Sequence, residues 1–317
     1  MWFNSLLYSW GVVVSSVVLS LCGGEWFTVW LGMELNLFGA IPFLLGDSKG
    51  EIESAFKYFL IQVFGSMVFL FSIICGTWVD SLPLSFFMLT GLFIKLGVAP
   101  FHFWVPSVLA GCSMGAIWFL LTVQKLVPLF ICCAMCSGEL EMLFCGVLSV
   151  FVGSFSGLGC NRFSGLLSFS SILHTGWFLG ACLAGVMVVL GYFFCYFVVV
   201  SSMCWMISGD FYLFEAGGSA NVFGYKWGLC FLILSLGGFP PFLGFFGKFL
   251  VLVSVVSSYP IFSFLLVVGS ICSWYYYLYL FCFFALYMGS YQGQAKVDVM
   301  MPVSIFGGVL LMPFFVF

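Results

Sequence analysis

Apolar stretches of membrane-spanning length follow one another along almost the whole chain, separated by short connections. An α-helix needs about 20 mostly apolar residues to cross the hydrocarbon core of a bilayer. Only 6% of the 317 residues are charged and 64% are hydrophobic, whereas a soluble domain carries about 25% charged residues. Because this chain cannot cover a water-facing surface, the pattern predicts an all-α polytopic membrane protein and excludes a soluble domain with one anchor.

Segmentation by apolar length predicts about eleven transmembrane helices in a single membrane domain over residues 1–317. The predicted helices cover residues 3–21, 26–45, 56–78, 82–102, 109–136, 142–159, 165–182, 184–207, 227–257, 261–287 and 301–317. The ninth is interrupted at GGFPP (237–241), since proline removes a backbone donor and clashes with the preceding turn. The first is expected to be retained, because no charged segment precedes it and no clear cleavage site follows it.

The charges in the connections predict the orientation of the chain. Basic residues lie in connections that follow even-numbered predicted helices, whereas the other connections carry acidic residues only. The basic set is Lys49, Lys57, Arg162, Lys226 and Lys296, and the acidic set is Glu25, Asp80, Glu139 and Glu141. The basic side corresponds to the cytoplasm or, in a mitochondrion, to the matrix. The N-terminus is therefore predicted on that side and the C-terminus on the opposite side.

The most polar connection is DSKGEIESAFKYF (47–59). Ser48 and Glu51 in it have the spacing of a capping box, which indicates the start of a helix. Lys57 is expected to extend its side chain to the membrane interface.

Residue usage favours an organelle-encoded protein. Phe, at 43 residues, and Gly, at 37, are abundant, while His, Gln, Asn and Thr are scarce. The abundant residues have codons rich in T and G and the scarce ones have codons rich in A and C. A coding strand with such a base skew is typical of small organellar genomes.

No soluble catalytic site or metal site is predicted. Most of the 14 cysteines lie inside apolar runs, which is a poor setting for disulfides. The C-x-x-C within CCAMC (132–136) lacks a second pair. There is no basic tract of the kind that binds nucleic acid.

Four ionisable residues remain at membrane depth: Glu34, Lys95, Lys125 and Lys248. Each costs roughly 2.5–3.5 kcal/mol at a helix centre, so it must face water or protein, and such residues are typical of proton or ion relays. Burial disfavours the charged form of a lysine and a nearby carboxylate favours it. Glu34 is expected to pair with Lys95 or Lys125, and the sequence leaves both pairings open. The alternative for the lysines is that they snorkel to the interface.

Glycine and proline accompany these lysines. Lys95 is followed by Gly97 and Pro100, and His102 shares its face if the helix continues. Lys248 follows the interruption at 237–241, and broken helices at membrane depth are tolerated where they line a cavity. Two such segments, one in each half, predict internal repeats of the transporter kind.

His174 is a further candidate for a proton relay. It lies in SFSSILHTGW (168–177), with Ser170 and Ser171 one turn before it. Histidine exchanges its proton near neutral pH. The alternative is a core histidine that is hydrogen-bonded to a serine.

Six segments, in order along residues 30–250, resemble NADH dehydrogenase subunit 2 of mitochondrial complex I, a family related to cation/proton antiporter subunits. They are WLGMELNLFGAIPFL, ESAFKYFLIQVFGSM, KLGVAPFHFWVPSV, LLTVQKLVPL, SFSSILHTGW and LSLGGFPPFLGFFGKF. The resemblance implies a multi-pass subunit of the mitochondrial inner membrane that has eleven helices, its N-terminus in the matrix and its C-terminus in the intermembrane space. It also implies neighbouring membrane-arm subunits as partners. FMN, iron–sulfur clusters and ubiquinone would lie in other subunits, with no cofactor in this chain.

The resemblance also implies roles for the buried charges. Lys95 would be the switchable lysine paired with Glu34. Lys125 would be the connecting lysine of the proton route, and Lys248 would face its exit side. Two alternatives stay open, a stand-alone cation/proton antiporter subunit and a purely structural membrane subunit.

The sequence departs from the family pattern at two places. The family often has Glu where Ser107 stands, and it usually has an Arg-Lys pair where Ser164 and Gly165 stand. These departures put local loop contacts in doubt, not the buried charges.

Overall fold

The computed structural model describes residues 2–76, 84–135, 139–160, 162–207, 223–240 and 242–288. This part of the chain is nearly all helical, with thirteen α-helices and one 3-10 helix at Phe101–Phe103. The α-helices are α1 (Trp2–Cys22), α2 (Trp26–Leu44), α3 (Lys49–Gly76), α4 (Leu84–Leu96), α5 (Trp104–Leu109), α6 (Met114–Leu121), α7 (Val123–Ala134), α8 (Glu139–Gly157), α9 (Phe163–Ala184), α10 (Val186–Met206), α11 (Phe223–Gly237), α12 (Leu243–Val255) and α13 (Pro260–Met288).

Seven helical stretches of the described residues are long and apolar enough to cross a membrane. They are Trp26–Leu44, Lys49–Gly76, Ser85–Leu109, Met114–Ala134, Glu139–Gly157, Phe163–Ala184 and Val186–Met206. The prediction of an all-α polytopic membrane protein is confirmed at this level. The number of eleven transmembrane helices stays a prediction, and the last of them, 301–317, lies outside the described residues.

Two predicted helices are interrupted in ways that the apolar pattern did not indicate. The predicted helix 82–102 ends at Leu96 and continues as the 3-10 helix and α5. The predicted helix 109–136 is divided into α6 and α7 at Thr122. By contrast, the predicted interruption at 237–241 is confirmed by the end of α11 and the start of α12.

The start of α3 shows the predicted capping box. The Ser48 hydroxyl donates to Glu51 Oε2 at 2.8 Å, and the Glu51 backbone N–H donates to Ser48 Oγ at 3.2 Å.

Because α3 begins at Lys49, both Lys49 and Lys57 lie within this helix. Lys226 likewise lies within α11, and Glu139 and Glu141 lie in the first turn of α8. The expectation that these charged residues lie in connections outside the helices was therefore wrong.

The chain divides into two compact units, Met1–Ser149 and Val150–Phe317. In the first unit α1 packs against α2, α2 against α3 and α3 against α4, and α7 contacts α1, α2 and α4. Small residues allow these close approaches: a Cβ on Gly32 would lie 2.8 Å from Ser20 Cβ of α1. In the second unit α9 packs against α10 and α12, and α11 packs against α13.

Candidate functional site

Lys95 lies in the last turn of α4, immediately before the helix breaks. Gly97 takes a left-handed backbone conformation with φ of +70°. Its N–H donates to Ile94 O at 3.2 Å, and the Val98 N–H donates to Phe93 O at 3.0 Å. This is the Schellman arrangement, for which glycine is the usual terminator. The glycine that follows Lys95 therefore sets the end of its helix.

Side chains from other elements bind the backbone carbonyls at this helix end. The Trp104 indole donates from Nε1 to Ile94 O at 2.9 Å, and Gln62 of α3 donates from Nε2 to Lys95 O at 3.2 Å. A Cβ on Gly65 would lie 3.2 Å from Lys95 Cγ, so the stem of the lysine rests against this glycine of α3. Protein side chains thus provide hydrogen bonds to the backbone carbonyls at this helix end, which lipid could not provide.

His102 does not share a helix face with Lys95. The prediction required one continuous helix, but α4 ends at Leu96 and His102 lies in the 3-10 helix. Its side chain is buried, and its ring centroid lies 4.2 Å from that of Phe103. The prediction of a shared face was wrong because Gly97 turns the chain between them.

Glu34 lies on α2 and is half-buried, with its Oε1 atom buried. In the described part of the chain Glu34 and Lys95 form no ion pair within 4.0 Å. The pairing of Glu34 with Lys95 or Lys125 stays a prediction.

Lys125 follows the second break, between α6 and α7. Thr122 interrupts the helix with φ of −111° and ψ of −76°. Its hydroxyl donates to Trp118 O at 2.6 Å, and the Lys125 N–H donates to Thr122 O at 3.2 Å. Lys125 therefore lies buried in the first turn of α7.

The end of α11 repeats the hydrogen-bond pattern found at the end of α4. Gly238 has φ of +77°. Its N–H donates to Ser235 O at 3.1 Å, and the Phe239 N–H donates to Leu234 O at 3.3 Å. This is again a Schellman arrangement with glycine in the left-handed position. A glycine thus ends a helix beside a lysine in each of the two units.

Lys248 folds back from α12 onto this helix end. Its Nζ donates to Gly237 O at 2.7 Å, and the same carbonyl accepts the Trp274 indole N–H at 3.0 Å. The ammonium group also lies 5.9 Å from the ring centroid of Trp177, within the range of a cation–π interaction. A carbonyl and an aromatic face therefore surround the buried cation.

The three buried lysines share one setting, because each lies beside a helix break. Lys95, Lys125 and Lys248 expose only 8%, 6% and 5% of their surfaces. Lys95 and Lys248 lie at the carbonyl ends of α4 and α11, where the helix dipole favours positive charge. Lys125 lies at the amino end of α7, where the dipole disfavours it.

His174 is buried on α9 and faces α10. Its Nδ1 lies 2.6 Å from the Tyr192 hydroxyl. Tyr196 and Ser235 line a small cavity with these two residues, which has room for about one water molecule. The alternative expected from the sequence was a serine as the hydrogen-bond partner of His174, whereas the structure places a tyrosine hydroxyl beside Nδ1.

Sequence reasoning missed four buried or half-buried polar side chains in the first unit. Asn36 and Tyr58 are each hydrogen-bonded to Gln124, and Gln62 donates to the Lys95 carbonyl. The sequence contained a signal for these residues, because Asn and Gln are scarce in this chain and yet Asn36, Gln62 and Gln124 lie well inside predicted membrane helices.

The remaining predicted positions are Ser107, Ser164 and Gly165. The Ser107 hydroxyl donates to Trp104 O at 2.8 Å at the surface, and Ser164 is buried in the first turn of α9. A Cβ on Gly165 would lie 3.2 Å from Cys160 Sγ.

Within the described ranges no group of three or more His, Cys, Asp or Glu residues could hold a metal ion.

Comparison with known proteins identifies the family. The family model described as NADH:quinone oxidoreductase/Mrp antiporter, TM, matches residues 23–273. NADH-ubiquinone oxidoreductase chain 2 of Pisaster ochraceus is 35% identical over 287 residues, covering 84% of this chain and 80% of that protein. The chain belongs to the NADH-ubiquinone oxidoreductase chain 2 family. The chain 2 protein of Anopheles gambiae is 33% identical over 299 residues, covering 89% and 85%.

Solved structures show that this chain 2 family member has an antiporter-like fold. A chain of respiratory complex I from Thermus thermophilus with bound aureothin superposes with a TM-score of 0.81 at 21% identity, covering 98% of this chain and 77% of that one. A chain of the Mrp complex from a Dietzia species gives a TM-score of 0.72 at 15% identity, covering 93% and 59%. The similarity to chain 2 proteins favours a complex I subunit over a stand-alone antiporter.

Proposed function

We propose that this chain is a core membrane subunit of a proton-translocating NADH:ubiquinone oxidoreductase, complex I, and that it forms one proton route. Membership of the chain 2 family supports the first part. One observation carries the second part: Lys95, Lys125 and Lys248 are each buried beside a helix break whose backbone groups are bound by protein. Structural lysines that only joined helices would not need such breaks.

The proposed mechanism is electrostatic. Redox energy released in other subunits changes charges along the membrane arm and alters the separation of Glu34 from Lys95. Moving one charge against the membrane potential takes about 2.3 kcal/mol per 100 mV. A carboxylate that closes to about 4 Å from an ammonium group contributes about 4 kcal/mol at an effective dielectric constant of 20. The free energy gained or lost when this pair closes or opens is therefore large enough to move a proton on to Lys125 and Lys248.

Glu34 is assigned to Lys95 in this proposal, and the similarity to the chain 2 family supports the assignment. The two residues form no ion pair within 4.0 Å in the described part of the chain. A pair held at longer range can close when charge arrives nearby, whereas a tight ion pair would keep Lys95 charged. His102 and His174 remain candidates for additional relay groups.

The finer architecture is also proposed: one membrane domain over residues 1–317 with eleven transmembrane helices and inverted repeats. The matching helix ends at Gly97 and Gly238 support the repeats, because each unit carries one Schellman turn beside a buried lysine. Helices broken in corresponding places are typical of transporter repeats.

We further propose the mitochondrial inner membrane as the location, with the N-terminus in the matrix and the C-terminus in the intermembrane space. The alternation of basic and acidic residues near successive helix ends along the sequence and the animal relatives support this. Other membrane-arm subunits and lipid would cover apolar side chains such as Phe56, Phe64 and Phe71, which are exposed along α3. FMN, iron–sulfur clusters and ubiquinone would bind in other subunits.

The variant Glu34→Gln tests the proposed pair, because it removes the negative charge and keeps the size of the side chain. We expect the complex to assemble normally on native gels but to pump protons more slowly during NADH oxidation in proteoliposomes. Glu34→Asp, which keeps the charge, should retain more pumping than Glu34→Gln. Loss of assembly with normal pumping by the remaining complex would instead assign Glu34 a structural role.

A further inference from the structure

A polar cluster inside the first unit joins three helices. Asn36 of α2 donates from Nδ2 to Gln124 Oε1 at 3.0 Å, and Gln124 of α7 donates from Nε2 to Asn36 Oδ1 at 3.3 Å. The Tyr58 hydroxyl of α3 donates to the same Gln124 oxygen at 3.3 Å. The Gln124 amide therefore makes three interhelical hydrogen bonds.

The reciprocal bonding of the two amides fixes how α2 lies against α7. Each amide gives one bond and accepts one, so rotation of either helix would break both bonds at once. Water cannot replace these bonds within the hydrocarbon core. Glu34 lies two residues before Asn36, or about 3 Å along the helix axis, and Lys125 directly follows Gln124. Side chains one or two positions apart on a helix point to different faces, so this amide clamp acts on the two charges by fixing the helices that carry them.

The third helix of the cluster extends it to Lys95. Tyr58 and Gln62 are four residues apart on α3 and so share one face. Tyr58 binds Gln124, whereas Gln62 binds the Lys95 carbonyl. The Tyr58 ring also lies 5.8 Å from the ring of Trp104, whose indole caps the end of α4. One face of α3 therefore connects the breaks that hold Lys95 and Lys125.

We propose that Gln124 is a positioning residue, whose side-chain amide clamps α2 to α7 and α3 and thereby sets the separation of Glu34 from Lys95 and Lys125. The effect of Gln124 on proton transfer rests on the proposed function. The effect of Gln124 on the positions of the helices does not, and it can be tested separately.

The first test compares Gln124→Leu, which keeps the bulk and removes all three bonds, with the wild-type chain in purified complex reconstituted into proteoliposomes. We expect the rate of NADH-driven proton pumping per assembled complex to fall at least roughly threefold, the factor that an average interhelical hydrogen bond contributes to an equilibrium. Ser66→Ala on α3 is the matched control, because the Ser66 hydroxyl binds only the carbonyl of Val63 in its own helix. Its pumping rate should not change.

A length exchange provides a rescue experiment. Asn36→Gln alone and Gln124→Asn alone disturb the fit of the two amides, whereas the double variant restores their combined length. We expect the double variant to pump faster than either single variant. If it pumps no faster, or if Gln124→Leu lowers only the amount of assembled complex and not its pumping rate, Gln124 is not a positioning residue.

A structural measurement separates this proposal from the proposed function. Cryo-electron microscopy of the Gln124→Leu complex should show Glu34 displaced relative to Lys95. An unchanged position of Glu34 would refute the proposal that Gln124 clamps α2. If Glu34→Gln pumps normally, the proposed function fails, yet this measurement still decides whether Gln124 holds α2 in place.

Discussion

Replacing Gly238 by alanine is expected to displace the Lys248 ammonium group from its carbonyl acceptor. Gly238 has φ of +77°, and a Cβ built on it would lie 2.9 Å from Lys248 Cδ and 3.0 Å from Lys248 Nζ. Real Cβ atoms rarely approach other atoms so closely. The backbone at Gly238 is held by hydrogen bonds to the last turn of α11. The flexible Lys248 side chain is therefore the part that must move.

The magnitude follows from two contributions. A left-handed backbone costs a non-glycine residue about 1–2 kcal/mol. A hydrogen bond to a charged group contributes about 1.5–3 kcal/mol, and Lys248 loses the bond to Gly237 O if its side chain moves. Together these give a destabilisation of about 2.5–5 kcal/mol in the second unit.

The assay is thermal inactivation of purified complex together with NADH-driven proton pumping. Gly238→Ala should be inactivated at a lower temperature than the wild type and should pump more slowly before inactivation. Gly115→Ala on α6 is the control, because nothing lies within 4 Å of a Cβ at that position. Wild-type stability and pumping in Gly238→Ala would refute the role assigned to this turn.

Three further variants test other parts of the structure. Trp104→Phe removes the indole donor to Ile94 O and should lower the inactivation temperature through a loss of about 1 kcal/mol; an unchanged temperature would contradict the cap. Tyr192→Phe removes the hydroxyl that lies 2.6 Å from His174 Nδ1 and should slow pumping in a normally assembled complex, whereas unaltered pumping would exclude a relay through this pair. Lys57→Ala should change neither pumping nor assembly, because this lysine is exposed, and a strong pumping defect would contradict the distinction between exposed and buried lysines.

The interruption at 237–241 could be predicted because glycine and proline disfavour a continuous helix by their own covalent structure. The break at Thr122 could not be predicted in this way. Neither glycine nor proline lies at Thr122, and Pro128 is accommodated inside α7 further along the chain. The Thr122 hydroxyl donates to the Trp118 carbonyl four residues back, a bond that can bend a helix but that residue type alone does not specify.

The candidate site was predicted in part. Unpaired charge in an apolar run is costly wherever the helices pack, so Glu34 and the three lysines could be selected from the sequence alone. Which lysine lies near Glu34 depends on the arrangement of α2, α4 and α7, and the apolar pattern does not specify it.

The polar cluster around Gln124 illustrates what tertiary structure adds. Gln124 and Asn36 are 88 positions apart, and their reciprocal bonding depends on the rotation of two helices about their axes. Their helices are apolar on most sides, so periodicity gives little indication of that rotation. The wrong placement of His102 has a related cause, since one left-handed glycine redirected the chain after Lys95.

NADH-driven proton pumping by reconstituted complex that carries Lys95→Met tests the central claim most directly. Methionine keeps an unbranched, flexible side chain and removes the exchangeable proton, and Lys57→Met at an exposed position is the control. With assembly verified on native gels, we expect Lys95→Met to lose pumping and coupled NADH oxidation while Lys57→Met retains both. Normal pumping by an intact Lys95→Met complex would contradict the claim that buried lysines at helix breaks carry the proton.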